Sequence, residues 1–240
     1  MRLNRWIPFL FLLSGMITGC ATRPMRMSTL GTPCATAGSR LTQAWRSLHE
    51  ALQTPGGCEQ DNGLRCESLR AQIERLSVDC PNNPNVIMAN ALLAFDARNF
   101  VRSQQLLDEL FGLRVSYPEA AVLRARIALE QGNQQFALRF LDQQIRQTGD
   151  HAGLRETYAS ALFLVGRLDE SQAQLLTARA LGAPVWRIAY GQGLIEEAMG
   201  RPGDAGLRYR EALEAKPGWR LAESRLRALA ASGSNPKSQK

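Results

Sequence analysis

The chain is poor in the groups that do chemistry and in the runs that cross membranes. Its 240 residues include two histidines, His49 and His151, and no HExxH, GxSxG, Walker or glycine-rich nucleotide-loop pattern. Metal-assisted hydrolysis, acyl transfer and nucleotide chemistry depend on such constellations, so no catalytic residue, metal or cofactor is expected. Neighbouring acids such as Glu196 and Glu197 diverge on a helix rather than converge. His49 falls within a helical pattern and His151 beside Asp150 at a junction, and both read as structural or exposed. Aromatic residues make up only 7%. The apolar run Trp6 to Leu13 falls well short of the roughly 20 residues a membrane-spanning helix requires, and no later stretch replaces it. Charge is present but diffuse. The net charge is +7, yet Arg and Lys alternate with Glu and Asp along helical stretches, so nucleic acid is not an expected partner.

What is there begins at the N-terminus. Arg2 and Arg5, the apolar run and the small residues behind it have the layout of a secretory signal, which takes a chain to a compartment where thiols oxidise. The segment closes on Ile17, Thr18, Gly19 and Cys20, which resemble the lipobox of bacterial lipoproteins. That resemblance implies removal of residues 1–19, a diacylglycerol on the Cys20 thiol and an acylated (palmitate-type) new N-terminus. Two or three acyl chains hold a protein to a bilayer where one does not. Ala21, in place of Asp, implies the outer membrane of a Gram-negative envelope, with the protein on its periplasmic face. Residues 20–33 lack apolar periodicity and read as a flexible tether. The competing reading is a plain secretory signal, with Cys20 lost or paired.

Four cysteines remain: Cys34, Cys58, Cys66 and Cys80. Leu41, Ala44, Trp45, Leu48 and Leu52 recur at helical spacing, as do Leu69, Ile73 and Leu76 after the breaker run "TPGGCEQDNG". Residues 34–80 are therefore expected to form an antiparallel αα-hairpin. Three pairings are possible; the hairpin geometry favours nested bridges, Cys34 with Cys80 and Cys58 with Cys66. A zinc site would want CxxC-type spacing, which is absent.

From Pro84 the chain divides without gaps into four lines of 34 residues, 84–117, 118–151, 152–185 and 186–219. The eighth position is always small (Ala91, Ala125, Ala159, Gly193), as is the twentieth (Ser103, Ala137, Ser171, Ala205). The twenty-fourth is large (Leu107, Leu141, Leu175, Tyr209), and the fifteenth is glycine in three of the lines, with Arg98 in the first. Small residues let two helices approach, the large one fills the space between neighbours, and glycine ends the first helix. Asn83 before Pro84, Asn133, and Pro202 are matching start signals.

This period and pattern resemble the tetratricopeptide repeat (TPR), with the fourth line closest through Gly193, Gly200, Ala205, Tyr209, Ala212, Leu213 and Pro217. The expected fold is all-α: an α-solenoid of TPR-like hairpins across 84–217, preceded by the stapled hairpin. A capping helix follows over 218–232, and residues 233–240 have the composition of a disordered tail. The resemblance implies a concave groove lined by the first helices, receiving a peptide or helix of a protein partner. Its positions here are Met88, Leu92, Phe95 and Asp96; Val122, Arg126, Leu129 and Glu130; Glu156 and Phe163; and Arg187, Tyr190, Leu194 and Glu197. Apolar stripes also form cores, so Leu92, Phe95, Leu129 and Phe163 have that alternative role. The expected function is an adaptor or scaffold for an envelope assembly machine serving pilus formation, secretion, barrel insertion or cell-wall hydrolase recruitment. The alternative is a cell-wall or glycan-binding module using the basic residues Arg208, Arg210, Lys216, Arg220, Arg225 and Arg227.

Overall fold

The structure, a computed structural model, describes residue 34 and residues 36–53, 64–113, 117–148 and 151–233. The signal segment, Cys20, the tether, Cys58 and residues 234–240 lie outside the described residues. The described residues form eleven α-helices and no strand. They are α1 (Ala37–Gln53), α2 (Leu64–Asp79), α3 (Pro84–Asp96), α4 (Phe100–Gly112), α5 (Pro118–Glu130) and α6 (Gln134–Thr148). The series continues with α7 (Ala152–Leu164), α8 (Leu168–Ala180), α9 (Val185–Ala198), α10 (Pro202–Ala215) and α11 (Arg220–Gly233). Each odd helix from α1 to α9 packs on the even helix after it, and successive hairpins stack. The result is an α-solenoid of TPR-like hairpins. None of its described helices is long and apolar enough to cross a membrane.

Local chemistry sets where helices begin and end. The Asn83 side chain accepts hydrogen bonds from Asn85 N–H at 3.1 Å and Val86 N–H at 3.3 Å, with Pro84 in the first turn of α3. Asn99 and Asn133 cap α4 and α6 through Arg102 N–H and Phe136 N–H. Between the helices of each repeat stands one left-handed residue: Arg98 (φ 59°), Gly132 (73°), Gly166 (76°) and Gly200 (73°). The Asn99 N–H reaches back to Ala94 C=O, and Asn133 N–H to Ala128 C=O, closing these helix ends in the same way.

The small positions are where helices touch. Ala91, Ala125, Ser103, Ala137 and Ala205 are wholly buried, and Ala159 and Ser171 nearly so. Ser103 Oγ donates to Ala91 C=O and Ser171 Oγ to Ala159 C=O, both at 2.8 Å, tying each hairpin across its closest approach. In the fourth repeat the same partition of volume is carried further, with a smaller residue facing a larger one. A Cβ on Gly193 would stand 2.5 Å from Tyr209 Cε1, so the missing methyl makes room for a ring in place of the leucine found earlier.

The first hairpin joins the stack. Cys34 and Cys80 are bridged, with Cα atoms 5.4 Å apart, tying the start of α1 to the end of α2. Cys66 is also disulfide-bonded, while Cys58, its expected partner, is outside the described residues. Leu41, Ala44, Ile73 and Leu76 pack with Val86, Ala89 and Leu93 of α3 in one continuous core. Asn90, buried in α3, donates to Ser77 Oγ at 2.8 Å. α1 therefore lies beside α3 and adds a further first helix to the row α3, α5, α7, α9.

Candidate binding groove

The row of first helices forms one face, and its side chains line a continuous groove. Between α1 and α3 a compartment of about 730 Å³ is lined by Leu41, Trp45, Arg46, Met88, Leu92 and Tyr117. Met88 and Leu92 also border a second compartment of about 390 Å³ that includes Val122, Arg126, Glu156 and Arg187. Those four residues in turn border a third of about 690 Å³, extended by Leu129, Glu130, Leu164 and Trp186. The groove is apolar near α1 and polar toward α9.

Several side chains in it are already engaged. The Arg187 guanidinium grips the Glu156 carboxylate with two bonds, Nε donating to Oε1 at 2.6 Å and Nη2 to Oε2, and so joins α9 to α7 across the groove floor. Arg98 pairs with Glu130 at 2.9 Å, joining the first repeat to the second. Glu119 lies 3.5 Å from His151 Nε2. Arg126 is exposed and rests over the Phe95 ring, its Cζ 4.9 Å from the centroid. At the far end Trp186 meets Trp219 edge-on at 4.7 Å, and Lys216 Nζ stands 4.1 Å above the Trp186 ring.

The structure brings together Met88, Leu92, Val122, Arg126, Leu129, Glu156 and Arg187 from the sequence-derived groove set. Met88 is nonetheless buried among core residues and presents only an edge. Phe95 packs against the first repeat's core and serves as the platform under Arg126. Phe163 and Leu194 line a separate apolar recess of about 250 Å³ that opens beside Ser160 and Leu164. Tyr190 is turned toward Trp219, 4.7 Å away, and Tyr209, 5.6 Å away. Glu197 accepts a 2.7 Å hydrogen bond from Tyr209 and faces Arg225 of α11 at 3.3 Å. Burial first, and then this bond to a carboxylate, raise the Tyr209 pKa above the ordinary tyrosine value.

Of the basic C-terminal residues, Arg208 is turned to Glu211 at 2.9 Å and Arg225 to Glu197. Two of that face's six cations are thereby paired within the solenoid, and Lys216 is held over Trp186 with its charge intact. Sequence reasoning missed Leu41, Trp45, Arg46, Tyr117 and Trp186 as groove residues. Trp186 and Tyr117 open and close their repeat lines, outside the positions the family uses, and the α1 residues lie outside the 34-residue register altogether. Among the described residues, no group of three or more His, Cys, Asp and Glu side chains converges as a metal site.

Solved structures share this architecture. A thermophilic TPR protein of Thermus thermophilus superposes with a TM-score of 0.64 at 18% identity, over 78% of this chain and 99% of that one. A tetratricopeptide repeat protein from Parabacteroides merdae gives 0.62 at 16%, over 82% and 79%. PilW, a type IV pilus biogenesis factor, gives 0.60 at 11%, over 82% and 91%. No protein-family model and no curated protein matches the sequence. At these identities the likeness defines the fold, a TPR-type α-solenoid.

Proposed function

We propose that the chain is a lipid-anchored envelope adaptor, held by Cys20 to the periplasmic face of the outer membrane and binding a segment of a protein partner in its concave groove. The observation that carries this reading is the unbroken groove along α1, α3, α5, α7 and α9. A row of first helices presenting apolar and charged side chains along one face suits a helix or an extended peptide. The likeness in fold to a pilus biogenesis factor is in keeping with an assembly role in the envelope. The lipobox-like "ITGC" supplies the anchor, and the disulfides fit an oxidising compartment.

Two measurements test it. Cys20→Ser is expected to move the protein from the membrane fraction to the soluble fraction of the envelope; unchanged fractionation overturns the anchor. A photo-crosslinking residue at Leu92 or Val122 is expected to give a discrete adduct in cells, lost on Leu129→Arg, whereas one at Leu176 on the opposite helices should give none. Adducts at both places, or at neither, overturn the groove.

A further inference from the structure

The charges along the groove are of two kinds, and this bears on what the occupant carries; the argument rests on the concave face being the binding surface. Two of the lining carboxylates are engaged by arginine, Glu156 by Arg187 and Glu130 by Arg98, while the third, Glu119, lies 3.5 Å from His151 Nε2. The lining cations Arg46 and Arg126 are exposed, and neither forms an ion pair with any carboxylate whose side chain the structure describes. Phe95 under the Arg126 guanidinium holds it in place without neutralising it. Beside Arg46 lies the apolar compartment between α1 and α3, with Trp45, Met88, Leu92 and Tyr117 as its walls. Met88 and Leu92 carry that compartment directly into the one that holds Arg126.

We infer that the groove takes an acidic segment of the partner, which inserts one large apolar side chain between α1 and α3 and sets carboxylates on Arg46 and Arg126. A basic segment would face two unneutralised like charges. It could recruit Glu130 or Glu156 only by breaking that residue's existing pair with an arginine, so charge complementarity discriminates against it. The apolar anchor supplies the desolvated centre that a charged rim alone lacks.

An unbiased peptide display library, about 12 residues per member, panned on the full oxidised chain reads this directly. The enriched peptides are expected to carry two or more Asp or Glu residues near a Leu, Phe or Trp. A labelled member of that set should bind about tenfold more weakly to Arg126→Glu than to the parent, with Arg126→Lys intermediate, and weaken as salt is raised. Trp45→Ala should weaken it without changing the salt dependence. Thermal unfolding of each variant shows that the fold survives. Neutral or basic enriched peptides whose binding is lost on Leu92→Arg overturn the acidic partner while leaving the groove as the binding surface. Enriched peptides indifferent to Leu92→Arg, or no enrichment at all, overturn both.

Discussion

At the scale of single residues, two glycines in the repeats do opposite things. Gly132 has a positive φ of 73° and open space where a Cβ would go, so its requirement is conformational, and alanine there should cost about 1 kcal/mol. Gly193 sits within a helix, where alanine would be favoured by about 1 kcal/mol were it not for the Tyr209 ring 2.5 Å from the new methyl. Overpacking of this kind costs about 1–3 kcal/mol, so Gly193→Ala should destabilise the protein. Tyr209→Leu should rescue it, because Ala with Leu is the pair the other three repeats use. A double-mutant cycle by denaturant unfolding is expected to show favourable coupling; additivity would contradict the packing account. Tyr209 also makes stability depend on alkaline pH. Its folded pKa lies above the ordinary value near 10. Its stabilisation is therefore complete below about pH 10 and declines above it, where the unfolded chain releases the proton first. Chemical unfolding at rising pH should show that decline, and Tyr209→Phe should lessen its slope.

At the scale of elements, the first hairpin shows what a sequence can and cannot disclose. The repeats were legible because small, glycine and large positions recur in step: α4, α6, α8 and α10 begin at residues 100, 134, 168 and 202, each 34 after the last. α1 begins at Ala37, 47 residues before Pro84, so the register is broken there even though the packing is not. Stacking depends on the faces presented and not on the residues between them, which is why the hairpin was readable and its place in the groove was not. The groove was legible in part for a similar reason. Position alone picks out Leu92, Val122 and Arg126, but whether a side chain such as Phe95 or Tyr190 faces the ligand or a neighbouring ring is decided by contacts between repeats. Replacing Cys34 and Cys80 with serine should cost about 2–4 kcal/mol in the stability of α1 and α2. Hydrogen exchange should locate that loss in the first hairpin, leaving α5 to α10 nearly as protected as before.

At the scale of the whole molecule, a stack in which each hairpin touches only its neighbours has a stability that adds along its length. α11 covers Ala189 and Ala212 through Ala222, and Arg225 reaches Glu197. Truncation before Arg220 should therefore open α9 and α10 first, with protection rising toward α5; uniform loss along the chain would show a single cooperative unit instead. Hydrogen exchange resolved by peptide distinguishes the two.

The Cys34–Cys80 bridge closes the hairpin that supplies one whole wall of the groove. For a ligand held in the proposed groove, oxidation and capture would thereby be linked thermodynamically. Whatever affinity the reduced chain lacks, a bound ligand must return as resistance of this bridge to reductants, so the ease of reducing it becomes a gauge of occupancy.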